Sequence, residues 1–233
     1  IAGVDFVVFR ELTGGIYFGE KGRDKNGKAF DVCTYAEGEI LRITRLAFDA
    51  AKERKKKVTL VDKANVLETS RLWRETVQKY AKKFPDVKLE LMFVDNAAMK
   101  IIQNPRDFDV ILTENMFGDI ISDEASVITG SLGMLPSASI GDKSALYEPI
   151  HGSYPQAAGK NIANPFASIL SAAMLLELSF QLNVESAFIQ RAVNDAINAG
   201  FVTEDLNSSI NYSTSVVGDK ISELVFNEVF EVL

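Results

Sequence analysis

Short apolar runs separated by helix-length segments constrain this chain more than any other feature. Val58-Thr59-Leu60-Val61, Leu89 to Phe93 and Phe108 to Leu112 read as strands. Between and around them lie helical spacings. Thr34-Tyr35-Ala36-Glu37 has the form of a capping box, followed by Ile40, Leu41, Ile43, Leu46, Ala47 and Ala50 at helical intervals. Further helices are expected over about 67–83, briefly from Asp95, and from about Asn115. This alternation predicts an α/β architecture. A chain of 233 residues can bury one large core or two smaller ones. The Gly- and Ser-rich stretch Gly130 to Gly141 reads as a crossing between domains, so the expected division is 1–130 and 131–233. Beyond it, Asn164-Pro165 forms a cap with proline at the first helical position, and helices are expected from about Pro165, Val184 and Gly218. No internal repeat or low-complexity tract interrupts the pattern.

Charge and cysteine usage exclude several classes. The net charge of −7 argues against nucleic-acid binding, which needs a basic patch. The basic cluster Lys52 to Lys57, broken by Glu53, reads as helix-end cations complementing the dipole. Cys33 is the only cysteine, which fits a reducing, cytoplasmic setting and leaves no intramolecular disulfide. The most apolar helix, around Ile169 to Leu176, is cut by Glu177 well short of the roughly 20 residues of a membrane span. Ile1 to Phe9 reads as strand-like without a charged leader, so the expected start lies inside a domain, with no signal peptide.

Six segments carry candidate chemistry. Asn115 to Asp123 places Asp119 and Asp123 four residues apart, on one face of a helix. Lys63-Ala64-Asn65 follows the first strand-like run, so a lysine stands at a strand end. Together a lysine and paired carboxylates can hold a divalent cation and move a proton; a surface lysine and two solvated acids are the alternative. Arg10 precedes Gly14-Gly15 and Tyr17. Arginine suits a carboxylate gripped through two parallel hydrogen bonds, and a nearby tyrosine can donate a proton; a hairpin with a packed tyrosine is the alternative. Asp95 follows a strand, where an acid is usually a helix cap. His151-Gly152-Ser153 holds the chain's only histidine and leads through a loop at Gly159 and Asn161 whose backbone could donate to a ligand; a structural or solvated histidine is the alternative. Thr203 to Leu206 reads alone as a turn.

In combination these segments resemble the β-decarboxylating dehydrogenase family of isocitrate, isopropylmalate and tartrate dehydrogenases, from about Asp5 onward. The markers are Arg10 to Gly19, Asp62 to Glu68, Asn115 to Asp123, Gly130 to Gly141 and Glu148 to Pro165, in the family's order. The run Glu11 to Gly19 looks most like the isopropylmalate branch. The resemblance implies a two-domain isopropylmalate dehydrogenase-like fold with its N-terminal part absent. It implies NAD-dependent oxidative decarboxylation of 3-isopropylmalate to 2-oxoisocaproate in leucine biosynthesis. By the same resemblance, Arg10 binds the substrate carboxylates, Tyr17 is the proton donor and Lys63 is the base. Asp119 and Asp123 ligate Mg2+ or Mn2+ with Asp95 supplied by a second subunit, so a homodimer with shared active sites is implied. Asn65 is placed near the nicotinamide, while His151, Gly152, Ser153, Gln156, Asn164 and Asp205 surround the adenosine half of NAD.

Two departures qualify that expectation. The family's loop usually continues as Ala-Pro-Asp after His-Gly-Ser, whereas this chain has Tyr154 and Gln156. Glutamine can hydrogen-bond a ribose hydroxyl but lacks the charge that repels a 2′-phosphate. No arginine stands beside Gln156, which keeps NAD favoured over NADP. The second departure is that the family's first strand, its further substrate arginines and its pocket for the isopropyl group find no counterpart. Related substrates (isocitrate, tartrate, homoisocitrate) and a non-catalytic dimerising role are the alternatives.

Overall fold

A computed structural model describes residues 3–232. The chain divides into two compact units, Ile1–Ala125 and Ser126–Leu233. In the first, strands β1 (Val7–Arg10), β4 (Lys57–Asp62), β5 (Lys88–Phe93) and β6 (Val110–Thr113) form one sheet in the order β1-β6-β4-β5. All three pairings are parallel. Helices α1 (Glu37–Lys52), α2 (Glu68–Ala81) and α3 (Val94–Gln103) supply the connections that parallel strands require, and α4 (Asn115–Thr129) leads on from β6. A short antiparallel hairpin, β2 (Lys21–Arg23) with β3 (Ala29–Asp31), stands apart from this sheet.

Alternation along the strands explains the core. Val58 and Leu60 of β4 and Val110 and Leu112 of β6 face α1 and α2, meeting Ile40, Phe48 and Trp73. Thr59, Val61 and Ile111 turn to the other side and are also buried. Strands covered on both faces read as continuous apolar runs, which is why they were visible in the sequence. Trp73 lies edge-on to Tyr35, with ring centres 5.4 Å apart.

In the second unit, β7 (Pro136–Ile140) pairs antiparallel with β8 (Ala145–Pro149). Helices α5 (Phe166–Phe180), α6 (Asn183–Asn198) and α7 (Thr214–Val232) follow. Helix α5 packs on both strands and on α6, and α6 packs on α7. Phe166, Ala192, Val193, Ala196, Val217 and Ile221 are its buried centre. No described helix is long and apolar enough to cross a membrane.

Several local expectations are corrected. Helix α1 begins at Glu37, and the Ala36 N–H donates to Glu39 Oε2 at 2.7 Å, so Thr34 is not its cap. The basic cluster is not simply a solvated helix end. Lys56 turns the chain with φ of 59°, and Arg54 donates to Asp5 at 2.6 Å and to buried Asp109 at 2.9 Å. The Gly130 to Gly141 stretch contains β7, and the compact units part at Ala125, within α4. Asn164 Oδ1 accepts from Phe166 N at 2.9 Å, so Pro165 occupies the cap position instead of the first turn. Helix α7 starts at Thr214, four residues before Gly218. Of the strand-like start, β1 covers Val7–Arg10, and Ile1 and Ala2 lie outside the described residues.

Candidate active site

Parallel topology gathers the carboxyl ends of β1, β4, β5 and β6 along one edge, where open α/β sheets place ligands. Arg10 ends β1, Lys63 follows β4, Asp95 opens α3 directly after β5, and Asn115 opens α4 after β6. Four residues scattered through the sequence are thus brought to one sheet edge by one structural rule.

Arg10 is the hub. Its Nη1 donates to Asp119 Oδ1 at 2.6 Å, while Nε and Nη2 both donate to Asn115 Oδ1, at 3.1 and 2.8 Å. The other Asp119 oxygen accepts from the Tyr17 hydroxyl at 2.7 Å. That hydrogen bond, foremost, raises the Tyr17 phenol above its ordinary pKa and keeps it protonated. Tyr17 sits in a 3-10 turn (Gly15–Tyr17), 42% exposed, so the packed-hairpin alternative does not hold. The turn depends on Gly15, whose φ is 78° and whose absent Cβ leaves room for the Tyr35 hydroxyl.

Gly118 has a different use. A Cβ there would lie 2.6 Å from Arg10 Cγ and 2.9 Å from its Cβ. The glycine lets the arginine stem lie directly on α4, which is how Arg10 reaches Asp119 one residue later.

Lys63 and Asp95 pair with each other, Nζ to Oδ1, at 3.0 Å. The lysine holds the Asp95 carboxyl below its ordinary range. Asp95 is therefore not a helix cap; it lies in the first turn of α3 with its side chain exposed. The turn carrying Lys63 is braced by a residue that sequence reasoning passed over. Buried Asp62 accepts from Arg74 Nε at 2.8 Å, from Arg74 Nη2 at 2.7 Å and from the Ala64 N–H at 3.0 Å. Asn65 on the same turn is exposed. Asp123 lies one helical turn beyond Asp119 and is also exposed. Among the described residues, no three acids, histidines or cysteines of one chain converge as a metal site.

The second unit collects other candidates. Asp205 accepts from Ser131 Oγ, from Thr203 Oγ1 at 2.5 Å and from Asn164 Nδ2 at 2.9 Å. Burial pushes its carboxyl up, but these three donors outweigh it and the pKa falls below the ordinary value. Thr203 to Leu206 is thus more than a turn. Gly152, Ser153 and Gln156 are exposed in the loop before α5, and His151 Nδ1 lies 2.9 Å from Gly152 O. The Asn161 side-chain amide engages Ser215 Oγ and N at the start of α7.

A parallel sheet edge presenting an arginine, a lysine and carboxylates is where open α/β folds characteristically bind small ligands. The chain belongs to the isocitrate/isopropylmalate dehydrogenase family, whose model matches residues 1–221. It is 55% identical to a 3-isopropylmalate dehydrogenase of Priestia megaterium, over 98% of this chain and 63% of that protein. It is 60% identical to one of Geobacillus kaustophilus, over 90% of this chain and 58% of that protein. Among solved structures, an isocitrate dehydrogenase from Methylococcus capsulatus superposes with a TM-score of 0.89 at 39% identity, covering 95% of this chain and 67% of that one. The chain spans about 63% or less of the length of these curated relatives.

Proposed function

We propose that these residues serve NAD-dependent oxidative decarboxylation of 3-isopropylmalate, a step of leucine biosynthesis carried out in the cytoplasm. The single observation that carries this reading is the Arg10–Asp119–Tyr17 constellation, found in a chain with relatives of 55 and 60% identity named for that substrate.

Arg10 has five N–H donors, and three are engaged by Asn115 and Asp119 among the described residues. The remaining two, one on Nη1 and one on Nη2, match the two oxygens of a substrate carboxylate. Lys63, standing at a strand end, takes the proton of the substrate hydroxyl as the carbinol is oxidised. Tyr17, kept protonated by Asp119, returns a proton to carbon after carbon dioxide leaves.

Asp119 and Asp123 would hold a Mg2+ or Mn2+ ion, and the donor set fits. Hard divalent cations of this kind take one or two carboxylates plus water and substrate oxygens. When bound, such an ion supplies Lewis acidity toward the substrate's oxygens. Asp95 pairs with Lys63 inside its own chain, so we assign both residues to the site of a second copy in a homodimer. For NAD, which supplies the hydride acceptor, Asp205 with Asn164, the His151–Ser153 loop and Gln156 would face the adenosine half. Oriented hydroxyl, amide and carboxylate groups suit neutral ribose hydroxyls.

NAD reduction by the chain in its full reading frame, with Mg2+ and 3-isopropylmalate, tests the proposal. Isocitrate, tartrate and homoisocitrate serve as competing substrates. Preference for one of them would replace the substrate named here, while no turnover of any would favour the non-catalytic dimerising role.

A further inference from the structure

Asn115 is 2% exposed and sits between the Arg10 guanidinium and the loop that leads to Tyr17. Its side-chain oxygen accepts from Arg10 Nε and Nη2, and its nitrogen donates to Leu12 O at 3.2 Å and Gly14 O at 3.0 Å. One amide therefore uses all its strong directions. It holds the edge of the guanidinium and ties down the loop that leads to Tyr17.

Asn115 is itself locked in place. Its N–H donates to Tyr35 Oη at 3.0 Å, and that hydroxyl lies 3.1 Å from Glu114 Oε2. Glu114 Oε1 accepts from Phe117 N at 2.7 Å, satisfying a free donor of the first turn of α4. The amide is thus fixed by the helix start and not by solvent.

The consequence is a choice of which arginine donors are free. Without Asn115 the Nε and Nη2 edge would be as available to a carboxylate as the Nη1 and Nη2 end. With it, one N–H on Nη1 and one on Nη2 remain, and both belong to the Nη end of the guanidinium. We propose that Asn115 is a positioning residue that presents the Nη end of Arg10 to the substrate carboxylate and couples that grip to the Gly14–Tyr17 loop. This rests on the reading of Arg10 as the carboxylate-binding group. No aspartate can replace it, since a carboxylate would accept from Arg10 but could not donate to Leu12 and Gly14.

The test uses the chain in its full reading frame with Asn115→Ala and Asn115→Asp. The first readout, independent of turnover, is the Arg10 Nε–H signal in nitrogen-15 NMR, assigned by its loss in Arg10→Gln. It should be protected from exchange in wild type, retained in Asn115→Asp and lost in Asn115→Ala. The second is the split between KM and kcat for 3-isopropylmalate. Asn115→Ala frees both the guanidinium edge and the Tyr17 loop, so it should raise KM about tenfold or more, the size of one displaced charge-assisted contact, and lower kcat as well. Asn115→Asp should lower kcat more than it raises KM, because the Tyr17 loop alone is freed. An unchanged Nε–H signal in Asn115→Ala, or an unmoved KM with that signal lost, would overturn the assignment. Failure of the underlying reading shows differently: Arg10→Gln would leave KM unchanged, and the proposal would fall with it.

Discussion

Replacing Gly118 by alanine sets two known magnitudes against each other. In the interior of a helix, alanine is worth about 1 kcal/mol more than glycine. Helix α4 contains this position, so propensity alone predicts a gain. The new Cβ, however, would stand 2.6, 2.9 and 3.0 Å from Cγ, Cβ and Cδ of Arg10. These atoms are no flexible tip. Arg10 ends β1 in register with Thr113, and its far end is tied to Asn115 and Asp119. Overpacking of this kind costs about 1–3 kcal/mol. The net is a destabilisation of roughly 0–2 kcal/mol, read as a lower urea midpoint with unchanged slope. The larger effect falls on function. A guanidinium shifted by about 1 Å loses its geometry toward a carboxylate, and kcat/KM should fall about 10–100-fold. A variant stabilised by about 1 kcal/mol with unchanged kcat/KM would show that Arg10 does not lie on α4 as described.

Other consequences are as direct. Asp119→Asn should weaken Mn2+ binding in calorimetry by tenfold or more, and an unchanged affinity would remove Asp119 from the cation site. Because Lys63 and Asp95 are assigned to a neighbour's site, light scattering should give twice the monomer mass at micromolar concentration; a monomer would count against that assignment. The depressed Asp205 carboxyl makes a signed prediction. Its contribution to stability is present above the ordinary aspartate pKa of about 3.9 and is lost as pH falls below it. Acid unfolding of wild type should therefore converge on that of Asp205→Asn below about pH 4, and parallel curves from pH 7 downward would contradict it.

Legibility in the sequence followed burial. Val58 to Val61 was plain because both faces of β4 are buried, and Leu89 to Phe93 because the edge strand β5 is half-buried along most of its length. The β2–β3 hairpin was missed because all six of its residues are exposed and carry no apolar alternation. Its turn did have a signal, Asn26-Gly27, with Gly27 at φ 79°. The start of α7 was expected at about Gly218 and lies at Thr214. Ser213, whose carbonyl accepts from Val217 N, was the better marker. At the candidate site, residues with ionisable or catalytic-looking groups were found and their supports were not. Asp62 and Asn115 stand inside the motifs that drew attention to Lys63 and Asp119. Their roles are set by Arg74 and Arg10, 12 and 105 residues away, and no local spacing encodes such pairings.

Lys63 bears the chemical step of the proposed reaction, so its removal tests the account most directly. Lys63→Met keeps the length and apolar stem of the side chain while deleting the amine that meets Asp95. In the full reading frame, with 3-isopropylmalate, Mg2+ and NAD, steady-state kinetics should show kcat reduced by roughly 100-fold or more and KM changed far less. A Lys63→Met enzyme with near wild-type kcat would contradict the assignment of the base.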